Sequence, residues 1–446
     1  MDSSIFKAYD IRGIYPTQID AEAVYKIAQA YAKLIQPKTV ALGRDVRMSG
    51  PELWDAARRG LMDHGVDVVD IGVISTDMLY FAVSNYGYDG GITISASHNP
   101  KEYNGMKMVR AGAVPISGDT GIKEMRDLVD GGYAYKAELV GELKRLDIQQ
   151  EYLEKCLTFI ELGKLKPMRV VVNSMFGPAV QNLRKMNLPI ELIAINENLD
   201  GTFPKGQPDP LQEQNRAETV ELIQKEKPNF GAAWDADADR FFLFDENGRF
   251  IPGYYLTAFL IKHIVSEHAG SKVISDARLT WANMEKANKY GGVFMVNKAG
   301  HSFIKERMRE EDAIFAGEMS GHYYFRDYFY CDNGLIPFLM ILQIASQSDG
   351  PVSALFDSYF FRYPISGELN TPLESRHKAD LILASIEQKY SDARIEKIDG
   401  LSIEYETWRA NIRSSNTEPL LRLNVEAKDD GTLKKQVDEL LKLIQA

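Results

Sequence analysis

The sequence predicts an α/β protein built from three similar α/β domains with mixed, mostly parallel sheets, followed by a smaller C-terminal α+β domain. Strand and helix patterns alternate as βαβαβ in the first third of the chain, and the same alternation returns twice. In the last part the pattern changes to strand-like runs between two helices. Alternating strands and helices predict parallel strands covered on both faces, whereas strands packed by two helices on one face predict α+β.

The first domain shows the alternation most clearly. Apolar residues recur at helical spacing from Val24 to Ile35, and Pro37 ends this helix. Ser49 followed by Pro51 indicates a second helix, which Gly65 should stop. Strands are predicted next to these helices at 39–43, 66–72 and 90–97.

The second and third domains repeat this order. In the second, a strand at 168–175 leads through Pro178 into a helix, and a helix at 212–226 precedes the strand at 230–234. The elements predicted in the third domain are strands at 272–276, 292–297 and 313–317 and helices at 280–290 and 302–311.

The last domain is bounded by two predicted helices. They lie at 374–390 and 432–445, and the strand-like runs between them at 393–399, 401–407 and 419–427. Boundaries are predicted at the charged stretch 142–147, the DENGR turn that ends at Arg249, and the segment around Pro364. The predicted domains are therefore 1–145, 146–249, 250–363 and 364–446.

Composition excludes several classes of protein. Among 446 residues, 45% are hydrophobic and 26% charged, and the net charge is −11, so a sequence-independent grip on nucleic acid is not expected. The two cysteines, Cys156 and Cys331, form neither a disulfide framework nor a zinc site and favour a reducing cytoplasm. The first residues, MDSSIFKAYDIRG, lack a basic region followed by an apolar one, so an export signal is not expected. The apolar run from Leu335 to Ala345 is shorter than the ~20 residues that cross a bilayer, so it predicts a buried helix and no membrane partner.

The most explicit chemistry lies in DADADR (235–240), which follows an apolar strand. Alternation turns Asp235, Asp237 and Asp239 toward one side, and three carboxylates held together need a cation. Hard oxygen ligands favour Mg²⁺ or Ca²⁺. An EF-hand loop is the rival interpretation, because Glu246 stands at the twelfth position. Arg240 at the sixth position and strand-like flanks argue against it, and solvated surface acids remain the plainer alternative.

A hydroxyl motif, ISASHNP (94–100), follows another predicted strand. Ser97 is a candidate nucleophile or phosphate carrier, although a serine-rich turn is the simpler interpretation of the motif alone. Adjacent side chains on an extended strand point to opposite faces, so we do not expect His98 to act as base for Ser97 in a Ser–His–Asp hydrolase. His98 is then structural, or a hydrogen-bond donor to the seryl oxygen or its phosphate.

Two further loops are rich in polar groups. GEMSGH offers Glu318, Ser320 and His322, and an ionised glutamate can accept hydrogen bonds from two sugar hydroxyls. RSSNTEP supplies donors that suit a phosphate dianion, namely Arg413, Ser414, Ser415, Asn416 and Thr417, with Arg422 shortly after. Taken alone, each loop is also compatible with an ordinary turn. One such loop in each predicted domain indicates a shared central cleft, because open parallel sheets bind ligands beyond the carboxyl ends of their strands.

Together these motifs resemble the α-D-phosphohexomutase family over essentially the whole chain. In order they are KAYDIRG, ISASHNP, DADADR, KAGHS, GEMSGH and RSSNTEP. Within the family, the stretches 276–282, 317–327 and 405–427 look most like those of bacterial phosphomannomutases of GDP-mannose and polysaccharide synthesis.

The resemblance implies a role for each motif. Ser97 would be a phosphoserine and, with Asp235, Asp237 and Asp239, would hold Mg²⁺. Glu318 and Ser320 would read sugar hydroxyls. The remaining candidates fall into two groups. The catalytic ones are Arg12, Lys107, His301 and Arg240; the substrate-binding ones are Tyr9, Arg278, Lys298, His322, Arg413, Ser414, Ser415, Asn416, Thr417 and Arg422.

Two departures from the family pattern concern the loops. Ala236 and Ala238 stand where many members have glycine, so we expect ordinary backbone conformations at both positions. Ser95 stands where threonine is common.

The implied activity is interconversion of mannose 6-phosphate and mannose 1-phosphate through a hexose 1,6-bisphosphate, which also serves as activator. Some phosphoglucomutase activity is expected, because one poorly read hydroxyl discriminates weakly between C2 epimers. Phosphoglucomutase or phosphoglucosamine mutase as the main activity, and a non-catalytic phosphosugar-binding protein, are the alternatives. A haloacid-dehalogenase-type phosphatase is disfavoured, because Asp239–Arg240 fills its DxDx[TV] position. The expected partner is a small phosphosugar, and the chain is expected to be a cytoplasmic monomer or homodimer.

Overall fold

The computed structural model describes residues 2–414 and 420–445. They form two compact units. The first consists of Met1–Phe250 with Gly321–Val352, and the second of Ile251–Ser320 with Ser353–Ala446. Within the described ranges, every helix is too short or too polar to cross a membrane.

The first α/β region carries a seven-stranded sheet. Its strands are β1 (Ile11–Ile14), β2 (Thr39–Arg44), β3 (Asp67–Val73), β4 (Gly90–Ile94), β5 (Tyr103–Arg110), β6 (Val114–Pro115) and β7 (Leu143–Arg145). Its helices are α1 (Ala21–Ile35), α2 (Gly50–Asp63), α3 (Thr76–Asn85) and α4 (Lys123–Asp130). The strand order is β1-β5-β4-β2-β3-β7, with β6 on β5. The pairs β2–β3, β2–β4 and β3–β7 are parallel, whereas β5 runs antiparallel to its neighbours.

The second α/β region contains a sheet in the order β11-β10-β8-β9. The elements are α5 (Gln149–Leu157), β8 (Met168–Asn173), α6 (Ala179–Lys185), β9 (Ile190–Ile195), α7 (Ala217–Glu226), β10 (Phe230–Trp234), β11 (Phe241–Phe244) and β12 (Phe250–Ile251). Strand β8 is parallel to β9 and β10, and β10 is antiparallel to β11.

The third region again alternates helices and strands. Its elements are α8 (Gly253–Glu267), β13 (Lys272–Asp276), α9 (Trp281–Lys289), β14 (Val293–Asn297), α10 (His301–Glu311), β15 (Phe315–Gly317), β16 (Tyr323–Phe325), β17 (Cys331–Asp332), α11 (Leu335–Gln347) and α12 (Val352–Arg362). Strand β13 is parallel to β14 and β15, and β16 is antiparallel to β17.

The C-terminal region differs because its sheet is entirely antiparallel, in the order β18-β22-β21-β20-β19. Its elements are β18 (Ile365–Pro372), α13 (Arg376–Lys389), β19 (Arg394–Glu396), β20 (Leu401–Glu404), β21 (Trp408–Ser414), β22 (Leu420–Ala427) and α14 (Asp430–Gln445). Three mixed α/β sheets and a C-terminal sheet with two helices confirm the predicted fold class. The predicted domain limits and the central cleft stay predictions.

Local chemistry explains where the first elements begin and end. The Asp20 side chain accepts a hydrogen bond from the Ala23 amide and caps α1, and Gln36 ends it with a left-handed φ of 53°. Strand β4 is buried at all five positions. A Cβ at Gly90 would lie 1.9 Å from the Tyr31 hydroxyl, so only glycine lets α1 approach this strand. The buried helix α11 confirms the interpretation of the apolar run at 335–345.

Some predicted boundaries are wrong. The strand predicted at 90–97 ends at Ile94, so Ser95 and Ser97 lie in a loop. The strand predicted at 168–175 ends at Asn173, and the helix predicted from residue 212 is a 3₁₀ turn before α7. Polar side chains pull the chain out of the strand at both strand ends, because each accepts a local backbone hydrogen bond. Ser95 Oγ accepts from the Ser97 amide at 2.9 Å, and Asn173 Oδ1 from the Met175 amide at 3.0 Å.

Candidate active site

Ser97 lies in a tight loop at the carboxyl end of β4. Its backbone has φ 51°, and its side chain is buried. The Ser97 Oγ lies 3.1 Å from His98 Nδ1. The expectation that the two side chains point to opposite faces is therefore wrong, because a left-handed residue replaces the extended strand on which that argument depended. Burial lowers the pKa of His98 well below its usual value, and Arg240 and Arg12 add to the shift, so the imidazole is neutral.

The three aspartates of DADADR lie in the loop between β10 and β11. All three are buried, and their carboxylate oxygens lie within 4.8 Å of one another. The loop is flanked by strands, so it is not an EF-hand. Ala238 has φ 55°, which corrects the expectation of an ordinary conformation there. The Ala238 amide donates back to the Asp235 carbonyl at 3.0 Å and closes the turn that ends at this residue.

The fold brings the serine and the acids together across 138 residues of chain. Ser97 Oγ lies 3.1 Å from Asp235 Oδ2, in a hydrogen bond between two buried groups. Ser95 Oγ lies 3.4 Å from Asp237 Oδ2. The Thr76 hydroxyl, at the start of α3, donates to the same Asp237 oxygen. The loops after three different strands therefore meet at one point.

Lys107 supplies the positive charge at this point. It lies on β5, and its Nζ is 2.6 Å from both Asp237 Oδ2 and Asp239 Oδ2. Burial alone would lower the pKa of Lys107, but the two carboxylates outweigh it and raise the value, so the ammonium stays charged. Burial would likewise raise the pKa of Asp237, yet Lys107 holds it below its usual range.

The acids are well suited to a divalent cation. Asp237 Oδ1 and Asp239 Oδ1 are buried and have no hydrogen-bond partner among the residues that the structure describes. Burial, together with the charges of Asp237 and Asp239, raises the pKa of Asp235 well above its usual value. A cation among three carboxylates would remove both costs, and an all-oxygen donor set favours Mg²⁺. The residues present therefore fit the ion that the motif predicts.

Arg240 is fixed on two sides. Its Nε lies 3.6 Å from Asp235 Oδ2 and donates to His322 Nε2 at 3.1 Å. The His322 Nδ1 in turn lies 3.0 Å from Asp332 Oδ2. His322, predicted as a substrate-binding residue, thus contacts a catalytic candidate in the first unit.

Arg12 and Tyr9 lie near the serine loop. The Arg12 guanidinium binds Asp10 Oδ2 at 2.7 Å and Asn99 Oδ1 at 2.6 Å. It also lies 3.4 Å from the Ala96 carbonyl. Tyr9 is close enough for its charge state to influence the pKa of Arg12.

Sequence reasoning missed Arg47, which is fully buried beneath the same loop. Its guanidinium donates to four backbone carbonyls, those of Ser97, Asn99, Pro100 and Tyr103, at 2.6–3.0 Å. Asp45 balances its charge at 3.2 Å. A signal was present in the sequence, because Asp45 and Arg47 directly follow β2, which is the parallel neighbour of β4. Polar residues after adjacent parallel strands meet at one sheet edge.

The second unit holds a separate group of charged residues. Arg278 forms a two-pronged pair with Asp276 at 2.8 and 2.9 Å, and its NH2 lies 3.9 Å from Glu318 Oε1. Asp276 also accepts from the Met319 amide at 2.8 Å, which places the loop that carries Glu318. Glu318 is buried and accepts from the Gly300 amide at 2.8 Å, so the KAGHS loop joins the same group.

The paired strands β21 and β22 bring two more arginines to this group. Arg413 NH2 and Arg422 NH1 lie 3.3 and 2.8 Å from the carboxylate of Glu368, a residue that the sequence analysis missed. Arg278 NH1 lies 3.7 Å from the same carboxylate. Ser414 ends β21 and is half-buried. Ser415, Asn416 and Thr417 lie outside the described residues.

Three other predicted residues lie at loop and helix starts of the second unit. His301 is the first residue of α10 and Ser320 is half-buried after Glu318. Lys298 is exposed, with its Nζ 3.5 Å from the centre of the Phe303 ring.

Models of known protein families match ranges of the chain that include the candidate site residues of both units. The four family models described as Phosphoglucomutase/phosphomannomutase match in order. The alpha/beta/alpha domains I, II and III match residues 3–135, 150–248 and 252–363, and the C-terminal domain matches residues 368–443. The chain belongs to this family. It is therefore a phosphohexomutase, an isomerase that moves a phosphoryl group on a sugar phosphate.

Similar proteins agree with this assignment to the phosphohexomutases. A phosphomannomutase of Vibrio cholerae is 44% identical over 99% of this chain and 98% of its own length. A phosphomannomutase of Escherichia coli K12 is 40% identical over 96% of both chains. A crystal structure of a phosphoglucomutase/phosphomannomutase family protein from Burkholderia thailandensis aligns with a TM-score of 0.90 at 31% identity, covering 100% of this chain and 98% of that one.

Proposed function

We propose that this phosphohexomutase is a phosphomannomutase. It interconverts mannose 6-phosphate and mannose 1-phosphate through a phosphorylated Ser97 and a hexose 1,6-bisphosphate, and it supplies mannose 1-phosphate for GDP-mannose synthesis. We also propose some phosphoglucomutase activity. Both cysteines are free and buried, which suits the reducing cytoplasm in which we place the enzyme, as a monomer or homodimer.

One observation carries the proposal. A buried serine oxygen lies 3.1 Å from a carboxylate of a three-aspartate cluster, although the two loops are remote in sequence. A lone serine turn needs no such partner, and a lone acid cluster needs no serine. Their meeting fits a phosphoserine whose charge is balanced by a bound cation.

The first half-reaction transfers the phosphoryl group from Ser97 to the free O6 of a hexose 1-phosphate. The P–O bond to Ser97 breaks, the P–O6 bond forms, and the O6 proton passes to a basic side chain while the released Ser97 Oγ takes up a proton. Arg12 and Arg240 lie beside the loop and are proposed to balance charge on the moving group. His301 is the proposed proton carrier, because arginine stays protonated and the raised pKa of Lys107 keeps its ammonium charged. Lys107 is proposed to balance charge beside the aspartates. Asp235, Asp237 and Asp239 would hold Mg²⁺, which supplies positive charge to the seryl phosphate.

The second half-reaction requires the bisphosphate to turn around. The phosphoryl group at C1 is then transferred to Ser97, and the hexose 6-phosphate is released. We propose that Arg413, Ser414, Ser415, Asn416, Thr417 and Arg422 hold the phosphate that is not being transferred. Glu318 and Ser320 are proposed to read the sugar hydroxyls, with Tyr9, Arg278, Lys298 and His322 as further substrate contacts.

We infer the mannose preference from relatives that are named phosphomannomutases and are 40–44% identical to this chain. Recognition through hydroxyls other than that at C2 leaves mannose and glucose poorly separated, because one unread hydroxyl is worth only a few kcal/mol. Turnover of glucose 1-phosphate is therefore expected in addition.

The decisive experiment measures mannose 1-phosphate turnover with Mg²⁺ and trace hexose 1,6-bisphosphate. Ser97→Ala should reduce the rate by at least about 10³-fold, because phosphate monoesters are inert without a covalent carrier. Ser84→Ala, on α3 and away from the loop, is the matched control and should retain the rate. Mass spectrometry should find phosphate on Ser97 of the wild type. Full activity of Ser97→Ala, or phosphate only on another serine, would contradict the proposal.

Competition kinetics separate the alternatives. Mannose, glucose and glucosamine 1-phosphates are offered together, and the ratio of their kcat/KM values is read directly. A preference for glucosamine 1-phosphate would replace mannose as the substrate and leave the phosphoserine chemistry intact. Binding of all three with no turnover would favour the non-catalytic phosphosugar-binding protein.

A further inference from the structure

Two arginines of the C-terminal sheet face each other directly. Arg413 on β21 and Arg422 on β22 are paired residues in the antiparallel register. Like charges at directly opposite positions destabilise a sheet unless an anion lies between them. In the proposed function, these two guanidinium groups bind the substrate's phosphate. We call them the phosphate clamp. Without substrate, another anion is needed.

Glu368 supplies that anion from the neighbouring strand β18. Its Oε1 lies 2.8 Å from Arg422 NH1 and its Oε2 3.3 Å from Arg413 NH2. Burial would raise the pKa of Glu368, but Arg278, Arg413 and Arg422 outweigh burial and lower the value, so the carboxylate is ionised. One carboxylate therefore bridges both arms of the clamp.

The clamp keeps donors that Glu368 does not use. Arg413 Nε and Arg422 Nε are buried and lack hydrogen-bond partners within 2–414 and 420–445. A phosphate dianion has more acceptor oxygens than a carboxylate and could use such donors.

The charges around the clamp do not favour tight anion binding. Three arginines, Arg278, Arg413 and Arg422, lie within 4.0 Å of four carboxylates, those of Asp276, Glu318, Glu368 and Asp399. Glu368 is the carboxylate that contacts all three arginines within the described chain. A site built for affinity alone would not place a carboxylate there.

We propose that Glu368 is a positioning residue of the phosphate clamp, an internal anion that keeps Arg413 and Arg422 side by side in the free enzyme and weakens their hold on a phosphate ester. The inference rests on the proposed function. The bisphosphate intermediate must present first one phosphate and then the other to the clamp within each turnover. A clamp without an internal competitor would hold the first phosphate too long.

The first test measures binding of inorganic phosphate to the full-length protein by calorimetry, without Mg²⁺. Glu368→Gln removes the charge while its amide oxygen can still accept from a guanidinium group. We expect its dissociation constant for phosphate to fall about tenfold, since one unit of charge a few ångströms away is removed from a partly buried site. Glu396→Gln removes the same charge from a more exposed pair, 2.6 Å from Arg394 on the opposite edge strand, and should leave the constant within twofold. Arg422→Met reports phosphate bound away from the clamp.

The second test uses steady-state turnover of mannose 1-phosphate. In Glu368→Gln, both KM and kcat should fall, because binding tightens and release slows. A residue that only stabilised the sheet would leave KM unchanged or raise it. If Glu368→Gln does not fold, Glu368→Asp takes its place, because a carboxylate shorter by one methylene should give phosphate affinity between wild type and the neutral variant.

The outcomes separate the inference from the function. Phosphate affinity and KM unchanged in Glu368→Gln, with phosphate binding lost in Arg422→Met, would overturn the inference and leave the clamp standing. Wild-type protein that binds no phosphate, or binds it equally well in Arg422→Met, would overturn the clamp and the inference together.

Discussion

Among the described residues, the acidic cluster of the first unit and the arginine cluster of the second unit each have one residue of opposite charge that contacts more than one of their members. In the acidic cluster (Asp235, Asp237 and Asp239), Lys107 is that residue. In the arginine cluster (Arg278, Arg413 and Arg422), it is Glu368. The Lys107 side chain is 5% exposed and its partner Asp237 1%, whereas Arg413 and Arg422 are 15% and 29% exposed.

The difference in exposure determines how easily each counter-ion can be displaced from its partners. A buried ion pair cannot be broken cheaply, because neither charge finds water, so Lys107 holds a rigid acid loop ready for a metal ion. A pair with one partner near solvent exchanges more easily, since water and salt compete with it. Glu368 can therefore give way to a phosphate ester, as the proposed role of the arginine cluster requires.

The largest expected effect comes from removing the buried counter-ion. Lys107→Met leaves Asp237 and Asp239 without their cation and should cost about 3–5 kcal/mol of unfolding free energy in a chelator. Mg²⁺ should restore much of this loss, because it can replace the ammonium charge. Urea unfolding with and without Mg²⁺ measures both values. Lys123→Met, which removes an exposed pair with Asp119, is the control and should change stability by less than about 1 kcal/mol.

Equal losses in the lysine variant and its control would show that the acid loop does not depend on Lys107. The inference that the buried ion pair is the costlier of the two to break would then be wrong.

A smaller effect is expected from Arg47, which holds the serine loop by its backbone. Arg47→Lys keeps a positive charge for Asp45 but cannot reach four carbonyls, because an ammonium group lacks the planar fork of guanidinium. We expect a loss of about 1–3 kcal/mol in unfolding free energy and a fall in kcat of roughly 10–100-fold, as Ser97 loses its position. Arg44→Lys is the matched control, since among the described residues the Arg44 guanidinium has one hydrogen bond, to the Asp45 carbonyl at 3.2 Å. Unchanged kcat in Arg47→Lys would mean that the loop carrying Ser97 keeps its conformation without the guanidinium hydrogen bonds.

The two clusters also differ in how far the sequence could predict them. Residues in short motifs after predicted strands were found, because the carboxyl ends of parallel strands mark a ligand edge. Asp45 and Thr76 follow neighbouring strands in the same way and were within reach of that argument. Lys107 entered only through the family resemblance, because the strand that carries it was not predicted. Glu368 lies within a strand, and nothing in its local pattern separates it from an ordinary surface glutamate.

Backbone geometry was the other limit. The fold class followed from the alternation of elements, but helix α8 and strands β5, β9 and β21 were not predicted. The left-handed residues Ser97 and Ala238 could not be predicted either, because propensity argues against such conformations and they occur only in the folded loops.

Acid should weaken the arginine cluster through Glu368. Because the folded-state pKa of Glu368 is below its unfolded value, its contribution to stability is present above the unfolded value, near 4.3, and is lost as the pH falls through the folded value. The unfolding free energy of wild type relative to Glu368→Gln should therefore be higher at pH 7 and should shrink below about pH 4. The difference is expected to be about 1 kcal/mol or less. A constant difference from pH 7 to pH 3 would mean that Glu368 is not ionised in the folded protein.

The smallest expected effect tests the rigidity of the acid loop at Ala238. A left-handed alanine costs roughly 1–2 kcal/mol, whereas glycine accepts φ 55° freely but loses about 0.5–1 kcal/mol through its more flexible unfolded chain. Ala238→Gly should therefore raise the unfolding free energy by up to about 1 kcal/mol. Ala236→Gly in the same loop has no left-handed strain to relieve, so it should lower stability by about 0.5–1 kcal/mol. Opposite signs for two identical substitutions would confirm that the turn at Asp235–Asp239 imposes the conformation, and equal signs would mean that the loop relaxes around either residue.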